Sequence, residues 1–166
     1  MPLPAVDDED LVARLLGRRP LGRFEVVVRR ADGSPVVIEN GPFLDSGRPM
    51  PTRFWLADRA LNRVIGRLEA EHGVKRAEAE LAPEVIAALH RRHADQRDAL
   101  MPPDHEGPRP TGGVGGTRQG LKCLHAHYAN YLAGDDDPVG RWVHARLSEW
   151  SAAFDPAEPG ICSDRA

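Results

Sequence analysis

The stretch RFEVVVRRADGSPVVIE, Arg23 to Glu39, decides the fold. Two β-branched runs, Arg23 to Arg29 and Pro35 to Glu39, flank Ala31-Asp32-Gly33-Ser34. Branching at Cβ favours extended backbone, and Asp-Gly between two such runs signals a hairpin, because glycine readily takes the left-handed conformation a tight reversal needs. Beyond it, Asn40 to Pro51 is a loop punctuated by Gly41, Pro42, Gly47, Pro49 and Pro51, and Arg53 to Ala57 (RFWLA) is a third short strand.

The flanking sequence has helical periodicity. Upstream, Asp10 to Leu16 is a short amphipathic helix with Leu11, Leu15 and Val12 inward and Gly17 as its stop. Downstream, Asp58 caps a helix in which Leu61, Val64, Ile65 and Leu68 share one face, and Gly73 closes it. Pro83 opens a second helix reaching about Met101, with Val85, Ile86 and Leu89 as its stripe, continued by His93, Gln96 and Leu100. After a Pro/Gly-rich connection a third helix opens at Thr117. Gly134-Asp135-Asp136-Asp137 ends it and caps a last helix at Pro138, carrying Trp142, Val143, Leu147 and Trp150. The expected fold is α+β: a small antiparallel sheet of about three strands packed against four to five helices. Residues 1–9 are read as a flexible N-terminus, 10–150 as one globular domain and 151–166 as a tail.

Composition narrows the function classes. At 166 residues the chain is long enough for a real core, and 41% hydrophobic with 28% charged residues is ordinary globular composition. With 22 basic and 25 acidic side chains the formal charge is −3, which argues against nucleic acid as a partner. No apolar run approaches the ~20 residues of a membrane span, so no membrane insertion is expected. The acidic opening MPLPAVDDED lacks the order of a secretory signal, and two cysteines make no disulfide scaffold. A reduced, cytoplasmic protein is expected.

Chemistry concentrates in GGVGGTRQGLKCLHAHYAN, Gly112 to Asn130. On a helix opening at Thr117, Leu121, Leu124, Tyr128 and Leu132 form the apolar stripe, and Cys123, His127 and Asn130 lie opposite. Cys123 and His127 are then an i, i+4 pair: a thiol nucleophile, an imidazole base and Asn130 as orienter, with His125 in an acid/base role. Gly115 and Gly116 let backbone amides approach a ligand. Thr117 starts a helix whose dipole favours negative charge, and Arg118 and Lys122 add positive charge beside it. Glu39, at a strand end, is a further candidate as general base. The bland alternative is a half-buried thiol beside hydrogen-bonded histidines, with an ordinary cap after a flexible loop.

The segments LGRRPLG (Leu16 to Gly22), PVVIENGP (Pro35 to Pro42), Pro49-Met50-Pro51-Thr52 before FWL, IGRLE (Ile65 to Glu69), KCLHAH (Lys122 to His127) and DDPVGRWV (Asp136 to Val143) occur in this order in one bacterial, mainly actinobacterial family. Over about residues 11 to 150 the chain resembles that family, domain of unknown function 501. The resemblance implies no activity. Many members it resembles carry Cys-Pro-Cys-Gly in the first hairpin and Thr-Cys-Pro after the third strand. Those cysteine positions are Arg30, Asp32 and Asp58 here, leaving Cys123 and Cys162.

The leading functional expectation is a small-molecule site for an anionic or phosphorylated ligand on the Gly-rich loop and KCLHAH helix, serving hydrolysis or group transfer. One alternative is a non-catalytic interaction protein linked to the cell envelope or division. Another is a metal-binding protein using Cys123 and histidines, completed by His90 or His93, Cys162 or Asp135 to Asp137. His90 and His93 are otherwise expected to be solvated. No metal, cofactor or protein partner is assigned.

Overall fold

The computed structural model of the chain describes residues 7–150 and 162–163. The hairpin forms between β1 (Phe24–Arg29) and β2 (Pro35–Asn40), antiparallel, with Glu25 opposite Glu39 and Val26 opposite Ile38. Arg30 N–H donates to Ser34 O at 2.9 Å and Gly33 N–H to Arg30 O at 2.8 Å, and Gly33 takes the left-handed φ of 85° that the reversal demands. The register shifts between Val26 and Val28, so β1 carries an extra residue and both Val27 and Val28 are buried. β3 (Phe54–Leu56) pairs antiparallel with β2 on its other side. As the central strand, β2 buries Val36, Val37 and Ile38 in succession, on both faces of the sheet. Beyond β1, the short β4 (Cys162–Ser163) pairs with Val28 and Arg29, giving the order β3-β2-β1-β4. The remainder of the region read as a tail lies outside the described residues.

Six α-helices accompany the sheet among the described residues, against the expected four to five, and the fold is α+β. α1 (Asp8–Leu16) is capped by Asp7 and ended by Gly17 in the left-handed conformation. Its buried residue is Val12, while Leu11 and Leu15 stay half-buried. α2 (Arg59–Ala70) starts as expected, with the Asp58 carboxylate accepting from Leu61 N–H at 2.9 Å. Leu61, Ile65 and Leu68 are buried in one stripe.

Gly73 does not close this helix. The chain reverses at His72, which has a φ of 63°, and Gly73 instead opens α3 (Gly73–Glu80). A Cβ on Gly73 would sit 2.5 Å from the Leu68 carbonyl oxygen, so the junction needs glycine for close approach rather than for termination.

α4 (Pro83–Asp98) is rotated from its expected setting. Ile86, Leu89, His93 and Arg97 face inward, while Val85 and Leu100 are exposed. Inward placement lets the Arg97 guanidinium donate to the Gly112 carbonyl at 2.7 Å, satisfying backbone that would otherwise be left unpaired.

The last pair is α5 (Leu124–Leu132) and α6 (Pro138–Trp150), packed against each other, with α5 also against β3. They meet at Gly140, where any Cβ would collide with the Tyr131 side chain and the His127 carbonyl. Tyr128, Ala129, Val139, Val143 and Leu147 join the sheet valines and the α2 stripe in one core. No helix among the described residues is long and apolar enough to cross a membrane.

Candidate functional site

The expected helix from Thr117 is not there. Thr117 is extended (φ −76°, ψ 151°) and Gly120 has a φ of 57°, both incompatible with a right-handed helix, so the helix starts only at Leu124; upstream, Gly112, Gly115 and Gly116 also take left-handed φ values of 79°, 68° and 76°. Only a single 3-10 turn, Val114–Gly116, forms before Cys123. The loop is tied to the body through its polar backbone groups. Gly113 N–H donates to Thr117 O at 2.7 Å, and Val114 N–H to His90 Nδ1 at 3.1 Å. The Gly120 carbonyl lies 2.8 Å from His90 Nε2, and Leu121 N–H donates to Glu78. The Gly113, Val114 and Leu121 amides are thus engaged within the protein, as is that of Gly116, which donates to the Gly113 carbonyl at 2.9 Å.

This loop divides the expected ligand residues between two clefts. Gly112, Thr117 and Arg118 face α4, with His90, Arg91 and Ile86, around a cleft of about 580 Å³. Gly115, Lys122, Cys123 and His125 face the other way, with Arg18, Thr52 and Trp55, around a cleft of about 340 Å³. Gly116 lies against Pro51. Glu39 lines neither of these but a third cleft of about 1060 Å³, with Arg23, Arg29 and Asn40, and its Oε1 accepts from Arg53 Nε at 2.7 Å, so it stands in an ion pair there.

Cys123 is the residue that precedes α5, with extended φ and ψ of −155° and 152°. It therefore shares no helical face with His127, and the expected i, i+4 thiol–imidazole pair does not form. Its neighbours are Glu69 and His125: one ligand-type atom from each of the three lies within 4.8 Å of the other two. Glu69 comes from the last turn of α2, one turn past Ile65, and reaches under the start of α5. Its Oε1 accepts from Leu124 N–H and lies 3.2 Å from His125 Nδ1. On the other side of the ring, His125 Nε2 lies 3.1 Å from the Asn62 carbonyl oxygen.

Both partners of His125 accept hydrogen bonds, so they favour the protonated ring, which donates from both nitrogens. Burial pulls the His125 pKa down, but the Glu69 carboxylate and the Asn62 carbonyl outweigh it and the net shift is upward. Glu69 responds in kind. Burial alone would raise its pKa, and the hydrogen bonds from His125 and Leu124 bring it below the ordinary value. The N-terminus of α5, expected to attract an external anion, already holds the protein's own carboxylate.

His127 and Asn130 belong to a separate, buried network. His127 Nδ1 donates to Asp137 Oδ2 at 2.9 Å, and Asn130 Nδ2 donates to the same oxygen at 3.0 Å. Asp137 Oδ1 accepts from Val139 and Gly140 N–H, both at 2.9 Å, capping α6. Burial pushes the Asp137 pKa upward, yet the donors, His127 first, hold it below the usual carboxylate value. His127 Nε2 and both ring nitrogens of His93 are buried without a hydrogen-bond partner among the described residues. His93, expected to be solvated, is 1% exposed, and burial first and Arg97 and Arg53 second push its pKa down to about 4. His90 is half-buried, its pKa lowered chiefly by burial. Arg92 ties α4 to the α5–α6 turn through the Asp135 carboxylate at 3.5 Å and the Asp136 carbonyl, and the bond to Asp137 removes His127 from the role of base to Cys123.

The site thus consists of a thiol, a histidine held between a carboxylate and a backbone carbonyl, and two cations, Lys122 and Arg18, around a small cleft walled by Trp55. Arg18 stacks over Trp55 at 4.9 Å from the ring centroid, and Lys122 Nζ donates to the Gly115 carbonyl at 3.3 Å. Glu69, Arg18 and Trp55 were not singled out by sequence. For Glu69 a signal existed: a carboxylate one turn beyond Ile65, on the edge of an apolar stripe, points toward the body and must find donors there.

The molecule is an α+β domain with a cation-rimmed cleft and, apart from it, a buried carboxylate–histidine network. The chain belongs to the family described as Protein of unknown function (DUF501), whose family model covers residues 26–145. No curated protein and no solved structure matches it. At the three positions where the resemblance puts cysteines, polar contacts stand instead. Arg30 Nε donates to Asp58 Oδ2 at 2.6 Å, and Asp32 accepts from Ser34 within the hairpin turn. An ion pair thus joins the hairpin end to the start of α2.

Proposed function

We propose that this protein binds a small anionic ligand carrying a flat apolar group in the cleft between the Gly115–Ala126 segment and Trp55, Thr52 and Arg18. The observation that carries the reading is the convergence, on one concave surface, of Lys122, Arg18 and the positively charged His125 beside an aromatic wall. Two cations and a held imidazolium favour a phosphate or carboxylate, and the Trp55 ring favours a planar partner. His125 contributes charge. With both nitrogens engaged it does not act as a general base, and binding is therefore a better reading than thiol-dependent hydrolysis.

Calorimetric titration with phenyl phosphate tests this. The expected result is binding to the unmodified chain and a loss of about tenfold in affinity, ~1.4 kcal/mol, for both Lys122→Ala and Arg18→Ala. Arg118→Ala, in the opposite cleft, should leave affinity unchanged. Binding that is indifferent to Lys122 and Arg18, or that depends on Arg118, overturns the assignment.

A further inference from the structure

We propose that Glu69, Cys123 and His125 are the ligand set for one divalent ion of the zinc class, with its open coordination position facing the cleft. The inference rests on the proposed ligand site only in that both share this cleft.

Thiolate, imidazole and carboxylate are the three donor types that borderline-soft ions such as Zn²⁺ accept, and three protein ligands with one open position is the arrangement of a reactive rather than a structural site. The distances fit. Tetrahedral bonds of ordinary zinc length put neighbouring donors roughly 3.4 to 3.6 Å apart. His125 Nδ1 and Glu69 Oε1 are 3.2 Å apart, and the Cys123 sulfur lies within 4.8 Å of a ring nitrogen of His125 and a carboxylate oxygen of Glu69, about one side-chain adjustment away. The far side of the ring supplies the strongest support. A metal-bound histidine commonly donates its other N–H to a backbone carbonyl, which fixes the tautomer that leaves the facing nitrogen free to bind. His125 Nε2 has that partner in the Asn62 carbonyl at 3.1 Å. In the metal-free protein the proton on Nδ1 occupies the position the ion would take, between imidazole and carboxylate.

Binding has a defined proton balance. The ion displaces the Nδ1 proton of His125 and, as the Cys123–metal bond forms, the thiol proton, so two protons are released while Glu69 contributes a carboxylate already ionised. Affinity therefore falls as the solution is acidified. The remaining position opens toward Lys122 and Arg18, where water or the anionic group of a ligand completes the shell.

Titration of the full-length chain with Co²⁺ tests the proposal. The expected result is a 1:1 complex with a thiolate-to-cobalt charge-transfer band, displaced by Zn²⁺. Cys123→Ser should lose the band, and Glu69→Gln should bind on the order of a hundredfold more weakly. Cys162→Ser should behave as the unmodified chain. Far-ultraviolet circular dichroism identifies any variant that fails to fold, and the unmodified chain alone still decides the question: no Co²⁺ binding, or a spectrum without a sulfur band, overturns it. A band that survives Cys123→Ser or disappears in Cys162→Ser overturns it equally. Phenyl phosphate binding by metal-free protein is read separately, so loss of the metal inference leaves the cleft assignment standing, and the reverse.

Discussion

His93 is the residue whose titration should be most visible in the stability of this protein. It is 1% exposed, neither ring nitrogen has a hydrogen-bond partner among the described residues, and its pKa is pushed from 6.5 down to about 4. Burial is the first cause, and Arg97 and Arg53 add to it. A base with a lowered folded-state pKa binds its proton more readily when unfolded. The stability associated with neutral His93 is thus fully present above about pH 6.5 and is lost progressively as pH falls from there toward about 4. At ~1.4 kcal/mol per pKa unit, the loss is roughly 3 kcal/mol by pH 4. His93→Leu removes the titration and, because no partner is orphaned, costs little near neutrality. Urea unfolding at a series of pH values measures both chains. The difference between unmodified protein and variant should move by roughly 3 kcal/mol between pH 7 and pH 4, in favour of the variant at the acid end. A difference that does not change with pH refutes the argument, because it means that His93 reaches water or a donor-accepting partner.

Three further outcomes follow from named contacts. Asp137→Ala removes the cap of α6 and leaves His127 and Asn130 without their shared acceptor, so unfolding free energy should fall by about 3 to 5 kcal/mol; a loss below about 1 kcal/mol would show that the network is not closed in solution. Gly140→Ala drives a methyl into Tyr131 and the His127 carbonyl, and its cost of about 1 to 3 kcal/mol should appear in the same assay. For the Glu69–His125 pair, an NMR titration should place the His125 pKa above its ordinary value, and Glu69→Gln should bring it down. Because the folded pKa is raised, the pair's contribution through His125 is complete below the unfolded pKa and disappears as pH rises through the folded one.

Much of the fold was legible because each signal was local. Asp32-Gly33 between two valine-rich runs, Asp58 before the Leu61 stripe and Asp137 before Pro138 each name a turn or cap whose partners lie within a few residues. The errors arose where long-range contacts decide. Gly73 reads as a stop but is required by the approach of the Leu68 carbonyl. Val85 and Leu100 read as core, yet both are exposed: α4 turns Arg97 inward to Gly112 and Val85 outward, and Leu100 falls beyond its end. The candidate site suffered most. Periodicity placed Cys123, His127 and Asn130 on one face, but Thr117 and Cys123 are extended and Gly120 is left-handed, which delays the helix to Leu124. That shift sends His127 and Asn130 to Asp137 and leaves Cys123 with His125 and Glu69. Glu69 is distant in sequence from both, and no spacing rule joins them.

The most direct test of the proposed site is the position at which a ligand lands. In ¹H–¹⁵N spectra of the labelled chain, titration with phenyl phosphate should shift the backbone signals of Gly115, Lys122, Cys123 and His125 and the indole N–H of Trp55. Gly112, Thr117 and Arg118, across the loop, should stay in place. Shifts confined to that second set, or no shifts at millimolar ligand, would contradict the account.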